Sequence, residues 1–385
     1  MSKAKTAEPT LEMPGWLDAL GGFIERTAGF WQKLGDLESS AHRAEIDATA
    51  IDRPVYVAGL ARSGSTIMLE MLAAQPGGAT HRYRDFPPIF TPLFWNRAFA
   101  HVYRSDAPPA ERAHKDRILV TPDSPEAMEE VLWMRFFPEA HETSKSQVLD
   151  AATSNPAFER FYTDHLRKIL LVRGGKRYLS KGNYNLTRFS YLRHLFPSAR
   201  FLVPVREPRW HIASLMKQHR LFCAEERRDP RILKHMRRAG HLEFGLDRRA
   251  INVGDTDAAH EIERLWREGE EVRGWARYWA MLYGFVLIYL RDFAPGKEQW
   301  IANYAVGKHF ESRLAHVHGN LFALINIAVG LVLVRFPLPR ATGRSISRLG
   351  IAGLLMPLGI LSEVLFSAPP VLVLVGGIAM VPCMA

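Results

Sequence analysis

Cysteine is almost missing from this chain of 385 residues: Cys223 and Cys383 stand far apart, and there are no others. So sparse a set supports neither a disulfide framework nor a cysteine metal site, and it fits a reducing compartment. An apolar leader is missing as well, because Met1, Ser2, Lys3, Ala4 and Lys5 run on into polar and acidic residues; no secretory peptide is expected. Charge all but disappears after Leu321, where only Arg335, Arg340, Arg344, Arg348 and Glu363 remain. The chain as a whole nevertheless carries a net charge of +10. That excess favours anionic partners, and with no nucleic-acid module in view it points to an acidic membrane surface or a phosphorylated small molecule. With 47% hydrophobic residues, the length allows one large domain or two smaller ones with a real core.

The most informative stretch is residues 53–66. Val55, Tyr56 and Val57 after Pro54 have strand character, Gly59 and Gly64 punctuate a tight loop, and Ser65 and Thr66 open an apolar helix. Such a turn aims free backbone N–H groups and the positive end of a helix dipole at one small hollow, which suits a phosphate. Its spacing approaches that of the nucleotide triphosphatase P-loop, but Ser65 stands where that loop needs lysine. Arg62 supplies a cation from within the loop instead. A turn whose small residues serve only close packing is the plain alternative.

Along the chain, residues 1–50 read as amphipathic helix, with Trp16, Leu17, Leu20, Phe23, Ile24, Phe30, Trp31 and Leu34 spaced mainly at three and four. The reading is a helix packed on the domain, with a partner-binding helix as alternative. After the loop, a second strand is expected to end near residues 80–88, bringing His81 and Asp85 to the carboxyl edge of a sheet, where ligand sites form. Residues 90–175 carry aromatic-rich helical patterns separated by prolines and are read as a helical cap over that edge. Strand signals return at 177–183, including Lys181, and at 201–205, which leads into Arg206, Glu207 and Pro208; the helix between them is expected over 186–196. This alternation predicts a parallel α/β sheet.

The loop from Gly59 to Thr66, paired with the stretch 196–208 and Ser214, resembles the bacterial branch of the sulfotransferases that use 3′-phosphoadenosine 5′-phosphosulfate (PAPS). The resemblance covers about residues 50–290. It implies a P-loop-like parallel sheet with helices on both faces, a sulfuryl transfer from PAPS and no metal. It also implies that Arg62, Ser63, Gly64, Ser65 and Thr66 cradle the 5′-phosphosulfate while Arg206 and Ser214 hold the 3′-phosphate. Arg62 takes the place of a lysine that contacts the bridging oxygen in many members. By position, Asp85 is the expected general base and His81 the second choice, with a salt bridge from Asp85 to Arg82 or Arg84 as the structural alternative. Lys181 is expected to support donor or acceptor, and the acceptor to offer a hydroxyl or amine.

The family pattern ends before residue 300. Apolar runs cover 321–334, 349–366 and 368–385, two of them close to the length that spans a bilayer. The expected organisation is therefore a helical segment at 1–50, a transferase-like domain at 51–300, and a membrane-embedded helical segment at 315–385. The four arginines between the first two runs predict a cytoplasmic loop. With a cytoplasmic catalytic domain, either the first run does not cross or residues 278–290 also enter the membrane, and the preferred reading makes the first run a hairpin or interfacial element. His316 and His318 point different ways on a helix, so no metal site is expected there. A P-loop kinase or nucleotidase, and a non-catalytic membrane protein with a degenerate transferase domain, remain the competing readings.

Overall fold

In the computed structural model of the protein, the described residues are 13–99, 108–294, 307–336, 338–366 and 368–384. Expectations for residues 1–12 and for the family break at 295–306 lie outside them. Three helices, α1 (Gly15–Arg26), α2 (Ala28–Ala41) and α3 (Arg43–Asp47), precede strand β1 (Val55–Ala58). Then come α4 (Ser65–Ala73), β2 (Gly78–Ala79), α5 (Pro92–Phe99), a small ribbon of β3 (Ala110–Glu111) and β4 (Leu119–Val120), α6 (Glu130–Phe136) and α7 (Pro156–Arg173). Strand β5 (Arg177–Gly182), α8 (Phe189–Leu195), β6 (Arg200–Leu202), α9 (Pro208–Arg228), α10 (Pro230–Arg238), α11 (Thr256–Arg267) and α12 (Glu271–Asp292) follow.

Strands β2, β5, β1 and β6 lie side by side in that order, and all are parallel. Val55 is opposite Leu179 on one side and Arg200 on the other. Alternation along the strands sorts the helices. Tyr56 and Tyr178 face a cluster built from Trp133 of α6, Phe158, Tyr162, Leu166 and Ile169 of α7, and Tyr191 and Leu192 of α8. Val55 and Leu179 face the other way, onto Leu69 of α4. The sheet is thus parallel with helices on both faces, as the strand and helix signals predict.

Two local expectations change. The long helix α7, read as part of a cap, packs on the sheet as its main core helix, because its apolar stripe is continuous from Phe158 to Leu170. Its ends are set by the side chain of Asn155, which accepts from the Phe158 N–H, by Pro156 in the first turn, and by Gly174 in the left-handed region. Strand β6 stops at Leu202, short of the expected 205, since Pro204 has no N–H to offer a ladder.

The N-terminal helices are anchored by their inner face. Leu20, Ile24 and Trp31 join the core cluster. Arg238 of α10 donates to Asp18 and Glu25, and buried Lys168 donates to the Gly35 carbonyl beside Glu38. Trp16, Phe23 and Phe30, counted in the sequence with that inner set, are exposed instead.

Packing divides the chain into two units, Met1–Val286 and Leu287–Ala385. In the second, helices Gly307–Arg335, Arg340–Gly353, Leu355–Phe366 and Val371–Met384 pack on one another, and Asn326 donates to the Gly350 carbonyl at 3.0 Å. The stretches Leu314–Arg335 and Arg340–Phe366, 22 and 27 residues long, are apolar and long enough to cross a membrane. The first exceeds the run of 321–334 because the helix begins earlier, at Gly307. Large apolar side chains such as Leu324, Leu331 and Leu365 are exposed. By length and composition, these helices suggest membrane association.

Candidate active site

Three parallel strands deliver the site residues to one edge of the sheet. From β1 the chain enters the loop 59–64, from β5 it passes through Lys181 to Asn183, and beyond β6 it reaches Arg206. Gly59 is confined, since a Cβ there would lie 3.1 Å from Pro204. Gly64 has φ +101° with open space where a Cβ would go, so its role is conformational. Arg62 also sits in the left-handed region, at φ 70°, a conformation an arginine holds only when its surroundings fix it.

Those surroundings are visible. The buried imidazole of His211 on α9 has Nε2 2.8 Å from the Ala61 carbonyl, and Trp279 on α12 donates to His211 Nδ1 at 3.2 Å. The Trp279 bond makes Nε2 the protonated nitrogen, so His211 donates to the loop. Tyr283 donates to the Pro204 carbonyl at 3.0 Å. The guanidinium of Arg62 donates to Ser214 Oγ at 3.3 Å and to Asp116 at 2.6 Å.

A cavity of about 740 Å³ opens over this loop. Arg62, Ser63, Gly64, Ser65, Thr66, Lys181 and Arg206 all line it. Ser214 does not line it but is tied to Arg62, so the two stretches of the motif meet. Thr66 Oγ1 accepts from Lys181 Nζ at 3.0 Å and from Arg112 Nη1 at 3.1 Å. Lys181 also meets Glu126 at 2.8 Å, and Tyr83 donates to the second oxygen of that carboxylate at 2.6 Å. Burial pushes the Glu126 carboxyl up, but the Lys181 ammonium and these hydrogen bonds outweigh it and hold it at about 2. Asp116 behaves alike: burial raises it, and hydrogen bonds from Arg112 and Arg62 keep it well below the usual carboxylate range.

Also lining the cavity, His241 pairs through Nδ1 with Glu243 at 2.5 Å, and Asn183 donates to the same carboxylate. Its Nε2 lies 3.4 Å from His114 Nε2. Burial pulls His241 down, while the Glu243 charge and hydrogen bond more than offset this and leave it raised. His114 is held well below its ordinary value by burial and by the nearby Arg112 and His241. A neutral imidazole next to a basic one is thus aimed into the cavity.

The two residues expected as base stand elsewhere, and this corrects the positional reading. Asp85 is 2% exposed. It accepts from Arg173 at 2.5 Å, from the Arg82 N–H at 2.8 Å and from Asn96 at 3.2 Å, and it does not line the cavity. The salt-bridge alternative holds in kind, but with Arg173 as partner in place of Arg82 or Arg84, which pair with Asp123. His81 is packed against His165 at 2.8 Å and against Tyr178; burial lowers it to about 4, so it is a neutral core residue. The sequence reading missed Arg112, His114 and Asp116 in the ribbon, and Glu126, His241 and Glu243. A cluster of ionisable residues between 111 and 117 was the available signal.

The Sulfotransferase family model matches residues 54–263, more than half of the chain. Among solved structures, sulfotransferase STF1 from Mycobacterium tuberculosis H37Rv is similar at 15% identity, over 67% of this chain and 80% of that one, with a TM-score of 0.36. Sulfotransferase STF9 from Mycobacterium avium is similar at 14% identity, over 64% and 72%, with a TM-score of 0.30. No curated protein matches. Those structural scores are too low to carry an argument, and the weight rests on the family model together with the loop, strand ends and cations described above. On that match, the chain belongs to the Sulfotransferase family.

Proposed function

We propose that the protein transfers the sulfuryl group of PAPS to a hydroxyl or amine of an acceptor. The observation that carries this reading is the convergence of Arg62, Arg112, Lys181 and Arg206 with the hydroxyls of Ser63, Ser65 and Thr66 along one wall of the cavity. Four cations and three hydroxyls around a left-handed loop suit a ligand with several anionic oxygens. PAPS supplies a sulfuryl group on a phosphate leaving group. Arg62 and the loop amides meet the charge that develops on the bridging oxygen as its bond to sulfur breaks, and fixed donors stabilise such charge without reorganising. Arg62 stays charged and so gives no proton. Arg206, with Ser214 behind Arg62, serves the 3′-phosphate.

In this reading the base is His241 in place of Asp85. Its Nε2 takes the acceptor proton as the new bond to sulfur forms, while Glu243 holds Nδ1–H and stabilises the imidazolium. The hydroxyl- or amine-bearing acceptor enters the part of the cavity lined by Phe86, Val120, Met128 and Met236. No metal has a role in this scheme.

Calorimetric titration tests the donor half directly. 3′,5′-Bisphosphoadenosine is expected to bind the purified chain, and Arg62→Ala to weaken it. Tighter binding of ATP with magnesium would instead support the kinase reading, and no binding of either would support a degenerate domain.

A further inference from the structure

The helices α1 and α2 present a ridge that the fold leaves bare. Trp16, Phe23, Phe30 and Leu37 are 58%, 49%, 59% and 59% exposed. Trp16 and Phe23 on α1, and Phe30 and Leu37 on α2, stand seven residues apart, about two helical turns, so each pair lies along one line of its own helix. Beside them on the same lines stand Ala19, Arg26, Lys33 and Ser40, also exposed. The two helices meet at Thr27, whose carbonyl opens α2 by accepting from the N–H of Phe30 and of Trp31. Their inner faces are held by the core contacts and by Arg238.

The composition of the ridge selects its occupant. It contains no acid, and among the described residues Arg26 and Lys33 have no ion-pair partner. A second copy packed on it would bury two cations with no carboxylate from the ridge to receive them. Aromatic rings at the depth of headgroups, with basic side chains reaching to phosphates, are the chemistry of a bilayer interface. Independently, the same chain carries two helices apolar and long enough to span a membrane. Leu17, next to Trp16, lines the active cavity.

We propose that the ridge of Trp16, Phe23, Phe30 and Leu37, with Arg26 and Lys33, docks the transferase unit on the surface of an anionic bilayer. Docking brings Leu17, and with it the cavity it lines, close to the lipid headgroups. The inference is independent of which donor the site uses.

The test uses the full chain in vesicles of phosphatidylcholine with phosphatidylglycerol. A nitroxide is attached at Ala19→Cys, with Cys223 and Cys383 replaced by serine. The label is expected to become accessible to oxygen and shielded from a water-soluble nickel chelate, and the double variant Arg26→Glu, Lys33→Glu is expected to lose that shielding while remaining folded and vesicle-bound. A label that stays open to the chelate on vesicle-bound protein overturns the proposal, as does failure of the chain to bind the vesicles. Shielding that persists in lipid-free micelles with spin–spin broadening between labels would also overturn it, in favour of a second copy on the ridge. Equal protection on vesicles of phosphatidylcholine alone would remove the role given to Arg26 and Lys33.

Discussion

Lys181 Nζ lies 3.0 Å from Thr66 Oγ1, joining the end of β5 to the first turn of α4. The same ammonium neutralises Glu126, so its removal has two separable effects. Lys181→Met is expected to weaken 3′,5′-bisphosphoadenosine and to destabilise the fold by about 2–3 kcal/mol, because Glu126 loses its charge partner in a partly buried site. Adding Glu126→Gln restores much of the stability and none of the affinity. Thermal denaturation read beside calorimetric titration distinguishes the two; recovery of both together would mean that Lys181 only supports the fold.

In the proposed reading Arg206 serves only the 3′-phosphate. Arg206→Ala is expected to weaken 3′,5′-bisphosphoadenosine by about 10–100-fold, the worth of one charged hydrogen-bonding group, with little effect on adenosine 5′-phosphate. Competition binding measures both. Equal losses for the two nucleotides would contradict an assignment of Arg206 to the 3′-phosphate.

With His241 as the proposed base, turnover is expected to require its neutral ring. Its pKa is raised in the folded chain, so kcat is expected to increase as pH rises through that value and then level off. Glu243→Gln removes the group that raises it, and the rising limb of the profile moves to lower pH. His241→Gln is expected to lower kcat by about 10²–10⁴ with donor binding intact. The stability linkage has the opposite sense: a raised imidazole pKa adds stability below the unfolded value, and this is lost as pH rises through the folded one. A pH profile of kcat left unchanged by Glu243→Gln would rule out the pair as base.

Asp85→Asn is expected to act on folding alone. It leaves Arg173 buried without its carboxylate, which costs about 3–5 kcal/mol. Asp85 is lowered in the folded state, where burial raises it but the charge and hydrogen bond of Arg173, with the Arg82 N–H, bring it down further. Its contribution is therefore present above the unfolded carboxylate pKa and lost as pH falls through the folded value. Urea denaturation against pH measures this. Full stability with lost turnover would return Asp85 to the role of base.

The strand–loop–helix at 53–66 was legible in the sequence because its signals are local: Pro54, two glycines and a hydroxyl pair fix strand, turn and helix. Lys181 and Arg206 were legible because strand ends in a parallel sheet share one edge. For Asp85 the sequence left a general base and a salt bridge both open, because the partner it has in the fold, Arg173, is remote in the chain and only tertiary packing shows the pair. The ribbon around Asp116 escaped because strands of two residues have no periodicity to detect, and His241 escaped because it lies in the irregular stretch between α10 and α11. The first helices show a further gap: spacing at three and four marked the apolar residues of α1 and α2 correctly, but it did not separate the inner line of Leu20, Ile24 and Trp31 from the outer line of Trp16, Phe23 and Phe30.

The hydrogen bond from His211 to the Ala61 carbonyl has a thermodynamic consequence for the phosphate loop. In a trans peptide plane the N–H points opposite to the C=O, so tying the Ala61 oxygen toward α9 turns the Arg62 amide away from it. The orientation is set by an imidazole itself locked by Trp279, before any anion arrives. Binding then selects no rare conformer and orders no loop, and the ordering entropy that a floppy loop would subtract from affinity has already been met during folding.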